Sequence, residues 1–243
     1  MQHIGDIVAT NVANLSRVNG HRPRPLTLPM LIDRFEEQEA NENEDMIVAT
    51  SNLRFDPDGE LLVVPTLGAF RFTDWSRHQL STLVGIRWER WKEGASSTDL
   101  AEELNRRFMR AAFDVKVRTM RTPGSNETGD GVVRAFVSPG YSPVQDSEMA
   151  IRLQKALRST ESDLSIVRYD ATDRTTSYVV KIGTEYRVGG PGEVGDVWGC
   201  VLLRNSGVGY ASLVVVAHLH RLACKNGLAL PADAHHLTIR ARS

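Results

Sequence analysis

Cysteine is scarce in this chain, and the little there is does not fall in the pairs that metal or redox chemistry uses. Only Cys200 and Cys224 occur, with no Cys-x-x-Cys spacing. That excludes a disulfide scaffold and removes the close-ligand signature of structural zinc. Long apolar runs are absent as well. The valine-rich stretch at 213 to 219 is too short to cross a bilayer, and the amino terminus lacks the apolar segment of a signal peptide. A reducing, cytoplasmic setting with no membrane partner is expected. Net charge is also missing: the formal total of −1 removes the strongly basic balance that usually marks a polyanion binder. No repeat period appears, which excludes solenoids and propellers.

What is present suits a soluble fold with a real core, at 41% apolar and 24% charged residues. Charge is segregated along the chain. The stretch DRFEEQEANENED, 33 to 45, sets seven carboxylates against one arginine, whereas 197 to 243 holds five Lys or Arg and the single acid Asp233. A solvated acidic loop and a basic tail are the plain expectation.

Residues 1 to 29 carry Pro23, Pro25 and Pro29 without sustained periodicity and are expected to form an extended arm, leaving 30 to 243 as one domain. MIVAT and LRFDPDGELLVV read as strands, the latter a hairpin turning at Asp56-Pro57-Asp58-Gly59. AFRF leads to Thr73, whose hydroxyl suits a helix N-cap for about 74 to 84. A second helix, about 98 to 111, lines up Leu100, Leu104 and Phe108, with Glu102–Arg106 and Glu103–Arg107 four apart. Ser142, Pro143 and Gln145 form a capping box for a third helix, to about 158. Alternation then returns through LSIVRYD, TSYVVKI and EYRV, before two long runs, VWGCVLLRNS and YASLVVVAHLH, and the continuous apolar run with Val214, Val215 and Val216 makes 210 to 220 an expected central strand buried on both faces. The expected class is α+β, a single domain with a twisted, mostly antiparallel sheet and about three helices.

The candidate chemistry is spread thin. DVKVRTMR and VVRAFVS read as a hairpin placing Lys116 and Arg118 on one face, with Arg134 and Phe136 on a matching one. Basic groups beside an aromatic on an exposed sheet suit single-stranded nucleic acid. Arg87, Arg90 and Lys92, with Arg71 and Arg77, would thicken that patch. The rival reading turns Phe136 into the core and makes Arg134 a buried partner for a carboxylate such as Asp146. His218 and His220 share a strand face and, with Cys224 and His235 or His236, offer a rival metal or Cys/His hydrolase site. No close cysteine pair supports it, so no metal and no cofactor are expected. VGGPGEVGD lacks the Gly-Lys-Ser/Thr of a phosphate loop and reads as a connection between strands. Asn226-Gly227 reads as a tight turn.

Three clusters carry a resemblance. RAFVSPGYSPVQD supplies Arg134, Ala135, Ser138, Tyr141 and Asp146; NSGVGYASL supplies Asn205, Ser206, Gly209 and Ser212; RLACKNG supplies Arg221, Cys224, Asn226 and Gly227. Together they resemble the phage/plasmid-like family known as domain of unknown function 932 (DUF932), from about Leu26 to His236. Gly207 departs from an acidic residue common after the Asn-Ser pair in that family. The resemblance implies a phage- or plasmid-encoded cytoplasmic protein and supplies no reaction. Binding of single-stranded nucleic acid, as a homo-oligomer supporting annealing or protection in recombination, is the expected function. The alternatives are the hydrolase and an adaptor that engages a host protein through the acidic segment.

Overall fold

The computed structural model describes residues 26–87, 97–122, 131–157, 164–187, 196–222 and 229–238. In chain order the elements are α1 (Leu28–Glu39), β1 (Met46–Ala49), β2 (Arg54–Phe55), β3 (Leu62–Val64), β4 (Gly68–Phe72), α2 (Asp74–Val84), α3 (Ser97–Ala111), β5 (Asp114–Arg121), β6 (Gly131–Val137), α4 (Asp146–Leu157), β7 (Ser165–Ala171), β8 (Thr176–Arg187), β9 (Asp196–Asn205), β10 (Val214–Leu222) and β11 (Ala229–Thr238). The α+β class is as expected, and pairing is antiparallel except between β4 and β6. The described residues form two sheets rather than one and four α-helices rather than three. The chain divides into two compact units, residues up to 37 with 144 to 242, and residues 38 to 143.

The central unit, 38 to 143, has a six-stranded sheet in the order β1-β5-β6-β4-β3-β2. Its core gathers aromatics from four elements. Phe55 stacks on Phe72 and Phe108 at 5.5 and 5.7 Å, and Phe72 meets Phe136 at 6.5 Å. Local chemistry fixes the elements around this core. The Asp56 carboxylate accepts from the Glu60 and Leu61 N–H groups, both at 2.9 Å, closing the β2–β3 turn where the sequence placed it. Thr73 Oγ1 accepts from Ser76 N–H at 3.1 Å and caps α2 as expected. That helix ends at Gly85, whose φ of 66° a residue with a Cβ rarely adopts. Arg107 of α3 donates to the Val84 and Gly85 carbonyls at 2.9 and 3.1 Å, placing a cation at the negative end of the α2 dipole. The expected Glu103–Arg107 pair forms at 2.8 Å, and Arg106 also takes Glu103, at 2.6 Å, rather than Glu102. Arg107 holds the Glu103 carboxyl below the usual carboxylate range. At the sheet edge Asn105 acts as a substitute strand, its Oδ1 accepting from Phe55 N–H at 2.8 Å and its Nδ2 donating to Phe55 O at 3.5 Å.

The terminal unit is simpler, a five-stranded antiparallel meander running β7 to β11 in sequence order. Period-two alternation puts Tyr178, Val180, Val201, Leu203 and Val215 on one face, where Leu28, Leu31, Ile32 and Phe35 of α1 and Met149 and Ala150 of α4 cover them. Pro29 therefore lies in a helix and not in an extended arm. Thr27 caps α1 by accepting from Met30 N–H at 3.5 Å, and proline is tolerated in a first turn because no intrahelical N–H is needed there. The acidic stretch correspondingly starts as helix, through Glu39, rather than as a loop. α4 begins at Asp146, not at Ser142: Met149 N–H donates to Gln145 O at 3.1 Å, making Gln145 the last residue outside the helix. β10 is a strand paired on both sides, as its valines suggested, yet it is not buried on both faces, since Leu219 is 45% exposed. No helix among the described residues is long and apolar enough to cross a membrane.

Candidate nucleic-acid interface

The β5–β6 hairpin does not present its cations to solvent. Arg118 is buried, its Nε donating to Asp45 Oδ1 at 2.9 Å and its Nη2 to Glu42 Oε2 at 3.0 Å. Arg134 takes the other oxygen of Glu42, through Nη1. A slip in the ladder makes this convergence. Arg118 pairs with Ala135 and Thr119 with Val133, so Arg134 is an extra residue on its strand. Strict alternation from Phe136 would aim Arg134 at the apolar core; the bulge turns it to the side of Arg118. Two guanidiniums and two carboxylates thus balance in a site where unpaired charge would be costly. Asn43 pins the acidic segment to β5: its Nδ2 donates to Thr119 Oγ1 at 2.9 Å, and Arg121 Nε donates to its Oδ1 at 2.9 Å.

These contacts correct the sequence-predicted site. Phe136 is 4% exposed and belongs to the core, so it offers no ring to a base. The charges of Arg118 and Arg134 are matched by Glu42 and Asp45 at the end of the acidic segment. The carboxylate partner of Arg134 is Glu42, whereas Asp146 accepts from Asn205 Nδ2 at 2.8 Å. Lys116 is half-buried and donates to the Tyr141 carbonyl. Arg87 is exposed. Arg90 and Lys92 lie outside the described residues.

The family-motif residues turn out to shape the chain. Asn205, at the end of β9, donates to Val144 O at 2.7 Å as well as to Asp146, fixing the entry to α4. Ser206 Oγ donates to Arg174 O at 2.7 Å and accepts from Tyr210 N–H at 2.9 Å, tying the β7–β8 turn to the β9–β10 loop. Gly209, at φ 74°, sits in that loop. The Tyr141 N–H donates to Ser138 O at 2.9 Å, closing a turn after β6. Arg221 lies on β10, opposite Val197. Cys224, Asn226 and Gly227 lie outside the described residues, and with them the Cys224 nucleophile and the Asn-Gly turn. His218 stands directly opposite Cys200, the cysteine that the sequence reading did not use. Burial pushes the Cys200 thiol up to about 11, against the smaller opposing effects of the neighbouring Trp198 indole and the charge of Lys181. Such a thiol is a poor nucleophile. Among the described residues no group of three or more His, Cys, Asp or Glu is arranged to hold a metal ion.

Sequence reasoning missed the second face of the meander. Register puts Ser177, Val179 and Lys181 of β8, Trp198, Cys200, Leu202 and Arg204 of β9, and Val214, Val216 and His218 of β10 on the side away from α1 and α4. Arg168 and Asp170 join from β7, where a register shift at Ile166/Arg168 sets their phase. Small apolar side chains, Val179, Cys200 and Val216, form a buried floor. Arg168 and Arg204 stand exposed on it, with Lys181, Trp198 and His218 half-buried. Lys181 Nζ lies 5.2 Å from the centroid of the Trp198 ring, a cation–π contact. At the end of the same sheet Arg174 stacks 5.5 Å from the ring centroid of Tyr210, itself 43% exposed. The alternation Trp-x-Cys-x-Leu-x-Arg in β9 is visible in the sequence; which strands flank it is not.

Fold and face together define a class: an α+β protein whose helix-backed antiparallel meander carries cations and an aromatic ring on its second face. Comparison with protein-family models, curated proteins and solved structures finds no match to this chain. The DUF932 resemblance rests on the motif residues quoted above.

Proposed function

We propose that this chain binds single-stranded nucleic acid through the meander face bearing Arg168, Lys181, Trp198 and Arg204. The observation that carries the reading is the chemistry of that face among the described side chains: three cations and a half-buried indole, with Asp170 at its edge. Cations neutralise phosphates while aromatic rings take bases without regard to sequence. A near-neutral total does not oppose this, because binding depends on local potential, and in the central unit Arg118 and Arg134 are compensated by Glu42 and Asp45. The resemblance to phage/plasmid-like proteins supports a mobile-element origin, and the role we propose there is annealing or protecting single strands during recombination.

The test is fluorescence anisotropy with a labelled 12-nucleotide single strand, at two salt concentrations. Three phosphate contacts give a slope of log K against log salt of about −2, since each contact on a single strand contributes about −0.7. Absence of binding at low salt refutes the reading.

A further inference from the structure

Two exposed surfaces of this chain are complementary in polarity and in charge. The first is the corner where the chain leaves α3. Met109 is 56% exposed and Phe113 37%, and both border the segment 50 to 54. Arg54 Nη2 donates to Met109 Sδ at 3.2 Å, Phe113 N–H donates to Thr50 Oγ1 at 3.3 Å, and Thr50 N–H donates to Phe113 O at 2.9 Å. One exposed apolar side chain is ordinary, whereas two at a single corner begin a patch. Helical spacing adds cations to it. Arg106 precedes Met109 by three residues and Arg110 by four, and both arginines are exposed. Glu103 is shared between Arg106 and Arg107, and Asp114 stands exposed beside Phe113.

The second surface is the outer side of α1. Leu28, Leu31, Ile32 and Phe35 are its buried side chains and fix which side faces out. Met30, 48% exposed, leads a row at spacing three with Asp33 and Glu36, both exposed. Arg34, the cation of this helix, is drawn over the Tyr169 ring at 5.5 Å from its centroid.

We infer that the α1 row of one chain docks on the Met109–Phe113 corner of a second copy of this chain, Met30 against the apolar side chains and the carboxylates against the arginines. The occupant is another copy because the same chain displays both halves of the match, each exposed to solvent in the single molecule. Opposite charges steer the encounter and set its register, while the apolar contact is the part that persists in salt. The contact joins unlike patches, so it repeats from copy to copy. It needs no nucleic acid and stands apart from the interface proposed above.

The experiment is sedimentation velocity on the full chain without nucleic acid, over a concentration series at low and high salt. The mass should rise above that of one chain with concentration, and less so at high salt. Two charge-reversed variants, Asp33→Lys with Glu36→Lys and Arg106→Glu with Arg110→Glu, should each associate roughly tenfold or more weakly, because like charges then face each other. Mixing these two variants should restore association, since each supplies the charge that the other lacks. Met109→Ser should weaken association at both salt concentrations, and melting temperatures check that every variant is folded. A wild-type mass that stays at one chain throughout overturns the inference. So does association that both charge variants retain, or a mixture that associates no better than its components, because the contact then lies on other surfaces.

Discussion

Both units place arginines on antiparallel strands among aliphatic residues, and the two sets meet opposite fates. In the central unit Arg118 and Arg134 vanish beneath Glu42 and Asp45; in the terminal unit Arg168 and Arg204 stay exposed. Strand sequence does not foretell these fates: VKVRTMR alternates basic with apolar residues, as an exposed face would, whereas CVLLRNS is an apolar run that ends at Arg204. What differs is whether another segment delivers carboxylates. The stretch after α1 runs beside β5, with Asn43 N–H donating to Thr119 O at 3.0 Å and Arg121 N–H to Asn41 O at 2.9 Å, and this brings Glu42 over the hairpin. On the meander face the acid among the described side chains is Asp170, at the edge on β7. A cation on a strand becomes structure or surface according to the company that tertiary pairing sends it.

The strongest way to break this contrast is to take away the carboxylate. Glu42→Ala leaves two guanidiniums in a site where Arg118 keeps only 4% of its side-chain exposure. Breaking a buried pair on one side costs about 3–5 kcal/mol. Urea unfolding should show a loss of that order, whereas Glu148→Ala, removing the exposed pair to Arg152, should cost under about 1 kcal/mol. Similar losses in the two variants would mean that the central cluster is not the buried network described.

Much of this architecture is legible beforehand, and the failures have physical causes. Thr73 and Asp56 act within a few residues of themselves, so their caps and turns could be read directly. The helix α1 was also legible, because Leu28, Leu31, Ile32 and Phe35 follow the 3, 4, 7 spacing of a buried face; proline and acidic composition masked it. Arg134 could not be placed by alternation. Its partner Glu42 lies 92 positions away, and a one-residue bulge reversed its direction. The meander face required register: alternation says which residues share a side of one strand, and only pairing assembles Lys181, Trp198 and Arg204 into a surface.

A second effect, smaller and visible at high pH, probes the floor beneath that surface. The Cys200 thiol is raised from 9.0 to about 11 by burial, so the folded chain retains a proton that the unfolded chain releases. Stability should therefore be intact below about pH 9 and fall as pH rises toward 11. The buried Tyr178 hydroxyl, also raised, adds a fall of the same sign at higher pH. In Cys200→Ala the decline between 9 and 11 should be shallower than in wild type, whatever the absolute stability. Identical slopes in the two proteins would show that the thiol is not held in a dry floor.

Smaller in free energy, though sharper as a test of the contrast, is truncation of the exposed cations. Arg204→Ala and Arg168→Ala remove side chains that stand in solvent, so melting temperature should stay within error. Each should flatten the salt dependence of single-strand binding by about 0.7. Unchanged slopes in both would take phosphate contact away from the meander face.

The smallest expected effect is at Lys116, where the sequence pattern alone invited the largest. This lysine is half-buried and donates to the Tyr141 carbonyl, within the same unit as the compensated arginines. Lys116→Met keeps the aliphatic stem that packs along the strand and removes the charge. If the hairpin is structural, oligonucleotide affinity and salt slope remain those of the wild type, and only the hydrogen bond is lost, at about 1 kcal/mol of stability. A slope that flattens by about 0.7 in this variant would return the hairpin to the interface. It would also mean that compensation of Arg118 and Arg134 by Glu42 and Asp45 does not extend to their neighbour on β5.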